Sequence, residues 1–382
     1  RAAASFLGDG ADVGVDLSRG YFDAGDYVKY GQPAAYSVSV LAWSGIEFGA
    51  GLRDAGALDE LKNAVRWGTD YILKAASDLG RGCTYYSQVG RGSAAHCSSD
   101  ACKYDHGYWG RPEDYERDYA FASHRRTYAI NATHPGTEIW ASASAALTAA
   151  HLLFRADDPA YAAQLLSVSR ALYACAASPL NNPNDLFLQD AGLPEAAPQY
   201  KSFGFSDELG WAAAWLYDAT REMRYLDEFK SGMQRGEDRW WYEGFAASWD
   251  DLNPMAKLKM VSVAPPTYKH TAHLLESLRD YVNKWHACSD KDGKLVRTGC
   301  GLCFVQKWGS LRYASTSALV MAIFVKRFPN EPIASSLSEW ASKQLGYVLG
   351  DNGLGMSYMI GYTGPAGGSS LRYPRRPHHR AA

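Results

Sequence analysis

Helical periodicity recurs from Ala35 onward and constrains this chain more than any other feature. Apolar residues fall at i, i+3, i+4 and i+7 in AYSVSVLAWSGIEF, LDELKNAVRWGTDYILKAA, EIWASASAALTAAHLLF, AYAAQLLSVSRALYACAA, DELGWAAAWLYDAT and YASTSALVMAIFVKRF. The alternation expected of strands is scarce. Two segments, AALTAAHLL and WAAAWLYDA, carry small or apolar residues nearly all round, so the helices they form are covered on more than one side. A chain of such helices must be layered or closed into a ring of helical hairpins, although periodicity alone does not separate a toroid from a solenoid. Gly-, Pro-, Asn- and Asp-rich connections such as SPLNNPND and KDGKLVRTGCG are long enough to line a site. With no linker-like shift in composition, residues 1–382 read as one domain.

Composition narrows the function. The chain has 39 Lys and Arg against 41 Asp and Glu, a formal charge of −2, and so has no overall basic field for a phosphate backbone. Nucleic acid is excluded as a partner on that ground, and no run approaches 18 apolar residues, so no membrane span is expected. The excess lies in aromatics, with 12 Trp, 25 Tyr and 13 Phe making 13% of the chain. Some of those rings are expected to face a ligand.

Seven cysteines, at 83, 97, 102, 175, 288, 300 and 303, include two loop clusters suited to disulfides. The odd number leaves a thiol over, and Cys175 within ALYACAAS reads as that buried free thiol. With the sequon at Asn131, this usage points to an exported, extracellular protein. His96, Cys97, Cys102 and His106 also offer a zinc ligand set, an alternative left open here.

Chemistry concentrates first at Gly20-Tyr21-Phe22-Asp23-Ala24-Gly25-Asp26-Tyr27, where two carboxylates stand three residues apart between aromatics. One carboxylate can orient a water while its neighbour takes the proton, the base half of an inverting glycosidase; the plainer alternative is an Asx-turn or a helix cap. A second constellation is Trp308-Gly309-Ser310-Leu311-Arg312-Tyr313. A third runs from Gln88-Val89-Gly90 through His96 to Trp109-Gly110-Arg111-Pro112-Glu113-Asp114. Flat rings stack on the apolar faces of sugars, and nearby amides, imidazoles and carboxylates satisfy the hydroxyls. The end, Arg375-Arg376-Pro377-His378-His379-Arg380, is cationic and by itself reads as a solvated basic tail.

Taken in order, DAGDYVKYGQPAAYSVSVLAWSGIEF, QVG, WGRPED, PGTE, SDELGWAAAWLYDAT, SWDD, WGSLRYAS, LGDNGLGMSYMIGY and RPHHR resemble glycoside hydrolase family 9, mostly endo-1,4-β-glucanases, from about Gly10 to the last residue. The resemblance implies an all-α fold, an (α/α)6 barrel, here incomplete at both ends. It also implies inverting hydrolysis of β-1,4 bonds in cellulose or a related glucan by a secreted, monomeric enzyme that requires no cofactor. Carried over by position, Asp26 matches the general base and Asp23 its partner in holding water. His378 and Arg380 match the His-x-Arg that binds sugar at the active site, so the basic tail becomes functional. His96, Trp109, Trp249, Trp308 and Tyr313 fall on or near substrate-contact positions. Asp207, Glu208 and Asp251 fall on SDEL and SWDD, which hold a structural calcium in some members; a carboxylate cap on the helix beginning DELGWAAAW is the alternative for the first two.

Departures from the family pattern are specific. The resemblance places the acid that protonates the leaving oxygen, a Glu, beyond RPHHR, and this sequence ends two residues after Arg380. The segment alone is therefore expected to bind glucan and cleave it poorly, because inversion needs both carboxyl groups. Tyr27 replaces a His after DAGD, Ser142 stands where Glu is common after PGTE, and GPAGGSSLRYP is inserted before RPHHR. The competing function is a glucan-binding protein that keeps the aromatic trough without hydrolysis; a further one is hydrolysis of another β-glucan.

Overall fold

In the computed structural model, the helices follow the periodicity of the sequence closely. The structure describes residues 6–23, 27–92, 105, 108, 110, 114–118, 125–178, 200, 202–236, 238–242, 244–363 and 369–370. The described residues up to Trp240 gather into one compact unit and those from Trp241 into a second.

The first unit contains α1 (Gly31–Asp54), α2 (Leu58–Ala75), the single turn α3 (Tyr115–Asp118), α4 (Thr137–Phe154), α5 (Pro159–Ala176), α6 (Ser206–Thr220) and α7 (Arg224–Met233). Helix α4 packs against α1, α5 and α6, which explains a sequence with no polar face: every residue from Thr137 to Ala150 is buried. Small side chains let the backbones approach, and the few hydroxyls pair across the α4–α5 seam. There Ser144 Oγ donates to Ser169 O at 3.0 Å, and Thr148 Oγ1 lies 2.5 Å from Ser169 Oγ. Local chemistry starts α5, where Asp158 caps the helix by accepting from Tyr161 N at 3.2 Å and Pro159 occupies the first turn. Helix α6 is buried from Ser206 to Tyr217, and its Trp211 and Trp215 meet Trp43 of α1 and each other in tilted and edge-to-face contacts, with ring centroids 5.3 to 6.0 Å apart. Truncating one such buried Trp to Ala costs about 3–5 kcal/mol. Much of the aromatic excess is thus core: Trp43, Trp140, Trp211, Trp215 and Trp285 are all fully buried.

A small antiparallel sheet of β1 (Lys29–Tyr30), β2 (Tyr85–Val89) and β3 (Thr127–Ile130), in that order, leads into α1. Gly31 sits where a Cβ would lie 2.6 Å from Ser87 O, so only glycine lets the start of α1 press against β2.

The second unit contains α8 (Asn253–Val263), α9 (Thr271–Ala287), α10 (Ser310–Arg327) and α11 (Ala334–Leu349), with a short hairpin of β4 (Val296–Arg297) and β5 (Cys303–Phe304) and a parallel pair of β6 (Met356–Ser357) and β7 (Ser369–Ser370). Packing runs α8 on α9 and α10, α10 on α11, and α9 on α11. Helices α7, α8, α9 and α11 are absent from the periodic segments read in the sequence. Helix α8 shows why: it buries Lys257, whose Nζ donates to Tyr242 O at 2.6 Å and Ser277 Oγ at 2.9 Å, so a core position carries a charged residue.

The cysteine reading needs correction. Cys175 is not a free thiol; it pairs with Cys83, 92 residues away, with Cα atoms 5.8 Å apart. Cys288 pairs with Cys303, and among the described residues Cys300 is the free cysteine. Burial of Cys175 in α5 is equally consistent with a thiol and a disulfide, and only the fold brings the turn holding Cys83 to it. Cys97 and Cys102 lie outside the described residues, as do His96 and His106 of the zinc alternative. Among the described residues, no helix is long and apolar enough to cross a membrane.

Candidate active site

Asp23 lies six residues before β1 in sequence. Its amide donates to Val28 O at 2.9 Å, tying the two flanks of the DAGD segment together. Its carboxylate accepts from the Tyr200 hydroxyl, with O–O 2.6 Å, across 177 residues of chain. The Tyr200 ring is itself set against Tyr30, at 4.9 Å between centroids, at the point where β1 passes into α1. A phenol that donates to a carboxylate oxygen restrains the rotamer of that carboxylate. That arrangement suits a carboxylate that must orient a water. Sequence reasoning missed Tyr200; it sits in APQYKSFGF, a stretch without periodicity or motif. Asp26, His378, Arg380, His96 and Trp109 lie outside the described residues.

Tyr27 carries out a packing role. It is 3% exposed, its hydroxyl donates to Gly110 O at 2.6 Å, and its ring sits among Phe6, Phe22, Tyr108 and Tyr115 with centroids 5.1 to 6.0 Å away, the contact to Phe22 being edge-on. Ser142, the other departure from the family pattern in the described chain, is buried in α4 at 2% exposure.

The carboxylates of SDEL and SWDD have individual partners. Glu208 Oε1 accepts from Gln32 Nε2 at 3.1 Å, and Asp207 Oδ1 faces Arg239 Nε at 4.0 Å. Both lie in the first turn of α6, where their charge suits the helix dipole, but the N-cap residue is Phe205 and no side chain caps the helix there. Asp251 Oδ2 accepts from the amides of Phe245 at 2.7 Å and Ala246 at 3.3 Å, closing a turn in the second unit. Among the described residues no group of three or more His, Cys, Asp or Glu side chains converges to hold a metal.

In the second unit, Trp308 is 76% exposed on the loop before α10, while Tyr313, one turn into that helix, is 7% exposed. The Tyr313 hydroxyl accepts from Gln306 Nε2 at 2.5 Å and Arg312 Nη2 at 2.7 Å, and the Arg312 guanidinium lies 4.6 Å from the ring centroid. Trp308 thus offers a free ring face, whereas Tyr313 offers an oriented hydroxyl. Trp249 is half-buried in the turn that Asp251 closes.

An all-α chain of paired helices with a tethered aspartate ahead of the first long helix defines a helical-hairpin enzyme scaffold, and the relatives agree on which. The model of Glycosyl hydrolase family 9 matches residues 1–382, and the chain belongs to that family. It is 34% identical to Endoglucanase A of Bacillus pumilus over 99% of this chain and 52% of that protein, and 36% identical to Endoglucanase 1 of Oryza sativa subsp. japonica over 100% and 57%. The chain thus spans about half the length of these curated relatives. Among solved structures, the endoglucanase of the termite Nasutitermes takasagoensis superposes with a TM-score of 0.77 at 35% identity, covering 94% of this chain and 73% of that one. The cellulase Cel9M of C. cellulolyticum gives 0.74 at 31% identity, covering 93% and 73%. The fold is accordingly the all-α (α/α)6 barrel class of these enzymes.

Proposed function

We propose that the whole protein is a secreted, monomeric endoglucanase that hydrolyses internal β-1,4 bonds of cellulose or a related β-glucan with inversion. The observation that carries this reading is the Tyr200–Asp23 hydrogen bond of 2.6 Å, together with the Asp23–Val28 backbone tie. A purely glucan-binding surface has no use for a carboxylate locked in one rotamer beside a second one. On this reading Asp23 orients the water, Asp26 accepts its proton, and His378 and Arg380 hold the sugar. Protonation of the leaving oxygen falls to the Glu that the resemblance places after Arg380. Trp308 supplies a stacking platform, with His96, Trp109, Trp249 and Tyr313 as further sugar contacts. The relatives' printed names, endoglucanase and cellulase, and a Cel9M structure solved with cellobiose support the substrate class. The Cys83–Cys175 and Cys288–Cys303 pairs support export to an oxidising compartment.

The test is reducing-sugar release from soluble carboxymethyl cellulose by the full-length protein and its Asp26→Ala variant. Loss of the base is expected to lower the rate about 10²–10⁴-fold. Equal release would defeat the assignment of Asp26, and binding of cello-oligosaccharides without any release by the wild type would favour the glucan-binding reading instead.

A further inference from the structure

Beneath the flanks of the DAGD segment lies a set of four charged side chains sealed from water. Asp9 and Asp105 are 1% and 0% exposed, Lys29 is 1% exposed, and the side chain of Arg125 is 5% exposed. Their pairing is dense. Arg125 Nε donates to Asp9 Oδ1 at 2.6 Å and Nη2 to Asp9 Oδ2 at 3.3 Å. Its Nη1 donates to Asp105 Oδ1 at 3.2 Å and to the Tyr27 carbonyl at 2.6 Å. Lys29 Nζ pairs with Asp9 Oδ2 at 2.7 Å and donates to Leu17 O at 2.8 Å. Asp105 also accepts from Arg91 N at 2.5 Å, and its own carbonyl accepts from Tyr27 N at 3.4 Å. An aromatic wall of Phe6, Phe22 and Tyr115 lies 4.6 to 5.7 Å from the guanidinium carbon.

Burying four charges is a poor way to gain stability, because desolvation offsets most of the attraction and apolar residues of similar volume do as well. What such a set does supply is geometry. Here both backbone polar groups of Tyr27 are engaged, its N–H by Asp105 and its C=O by Arg125, and its hydroxyl is engaged as well. The backbone has made room for this. Gly90, with φ +94°, sits where a Cβ would approach Arg125 Nη1 and Tyr27 O, each at 3.2 Å. Tyr27 follows Asp26 in sequence, and its neighbour Val28 accepts the Asp23 amide, so fixing residue 27 fixes the backbone to which Asp23 is tied.

We propose that Arg125 is a positioning residue for the water-activating pair: through its fork on Asp9, Asp105 and the Tyr27 carbonyl it holds Tyr27 and, by way of Val28, the Asp23 end of that pair in register without meeting the substrate. The proposal rests on the reading of Asp23 and Asp26 given above. Its distinguishing demand is for the planar fork rather than for the charge, since one guanidinium spans four acceptor atoms and an ammonium cannot.

The test compares Arg125→Lys with Asp105→Asn and wild type in the full-length protein. Arg125→Lys is expected to keep its far-ultraviolet circular dichroism, to lose about 100-fold in kcat, the scale of an ångström-level misplacement, and to keep KM within about twofold. Native-state hydrogen exchange should speed up at the amides of Asp23 and Tyr27 while core amides around Trp215 keep their protection. If Arg125→Lys fails to fold, Asp105→Asn, which keeps the shape and one acceptor, carries the same two readouts with a smaller loss. An unchanged kcat in a folded variant, a change in KM alone, or undisturbed exchange at residues 23 and 27 would overturn the proposal. If the wild type releases no sugar, the proposed function falls, and the exchange measurement alone decides the positioning claim.

Discussion

The surroundings of Asp23 and those of Trp308 solve opposite problems. Around Asp23, every group that sets the backbone is buried and hydrogen-bonded, with Arg125, Lys29, Asp9 and Asp105 at or below 5% exposure and Tyr200 reaching in from far along the chain. Around Trp308, the ring is left in solvent and only the neighbouring Tyr313 hydroxyl is oriented, by two adjacent donors. On the proposed reading an acid there must not move by an ångström, which such a tightly bonded frame ensures. A stacking platform tolerates sliding along an apolar sugar face, so exposure matters more than fixity.

The largest effect that separates the two units concerns their covalent ties. Cys83–Cys175 closes a loop of 92 residues in the first unit, whereas Cys288–Cys303 closes 15 in the second. Chain entropy makes these worth about 4–5 and 3 kcal/mol. Paired Cys→Ser variants followed by urea unfolding should therefore destabilise more at the first tie by about 1–2 kcal/mol, and an equal loss would break the ranking.

Next in size is the buried lysine. Burial pushes the Lys29 ammonium down to about 8 from its ordinary 10.5, against the pull of Asp9, with Arg125 and Lys74 adding repulsion. The unfolded chain then binds more protons than the native one between these values, so the contribution of Lys29 to stability rises with pH across that window and is most unfavourable below it. A span of that width corresponds to about 3 kcal/mol. Comparing unfolding free energies of wild type and Lys29→Met at pH 7.5 and pH 10 reads it: the wild type should gain on the variant as pH rises, and parallel curves would show that Lys29 is not desolvated.

A smaller, local effect is expected of Tyr200→Phe, which deletes the donor to Asp23 and keeps the ring against Tyr30. A hydrogen bond to a charged group contributes about 1.5–3 kcal/mol to stability, so the melting temperature should fall by a few degrees, and loss of the restraint on Asp23 should lower kcat by roughly 10-fold. An unchanged kcat would show that Asp23 is fixed by its backbone alone. Smallest is Trp308→Ala: with the ring 76% exposed, stability should shift by less than about 0.5 kcal/mol, while KM for cello-oligosaccharides rises several-fold and kcat holds. A large drop in melting temperature would turn the platform into a packing residue.

Legibility in the sequence followed the same divide. Helices α1, α2, α4, α5, α6 and α10 were readable because their apolar spacing is local, and the all-round apolar character of α4 and α6 foretold their burial. Helix α8 was not, since buried Lys257 breaks its apolar pattern, whereas α9 was missed although Leu274, Leu278, Tyr281, Val282 and Trp285 keep helical spacing with the charges on the opposite face. Asp23 was visible because its motif is contiguous. Tyr200, Asp9, Asp105 and Arg125 were not, since each meets its partner over tens to more than a hundred residues of chain with no motif of its own.

What the sequence determined by itself was an all-α chain and the family, because periodicity and ordered motifs are properties of neighbours along the chain. What only the tertiary structure decided was which aromatics are core and which are exposed, that Cys175 is tied to Cys83, and how Asp23 and Tyr27 are held. Those depend on contacts between distant residues, whose energies come from burial and hydrogen-bond geometry that no local pattern encodes.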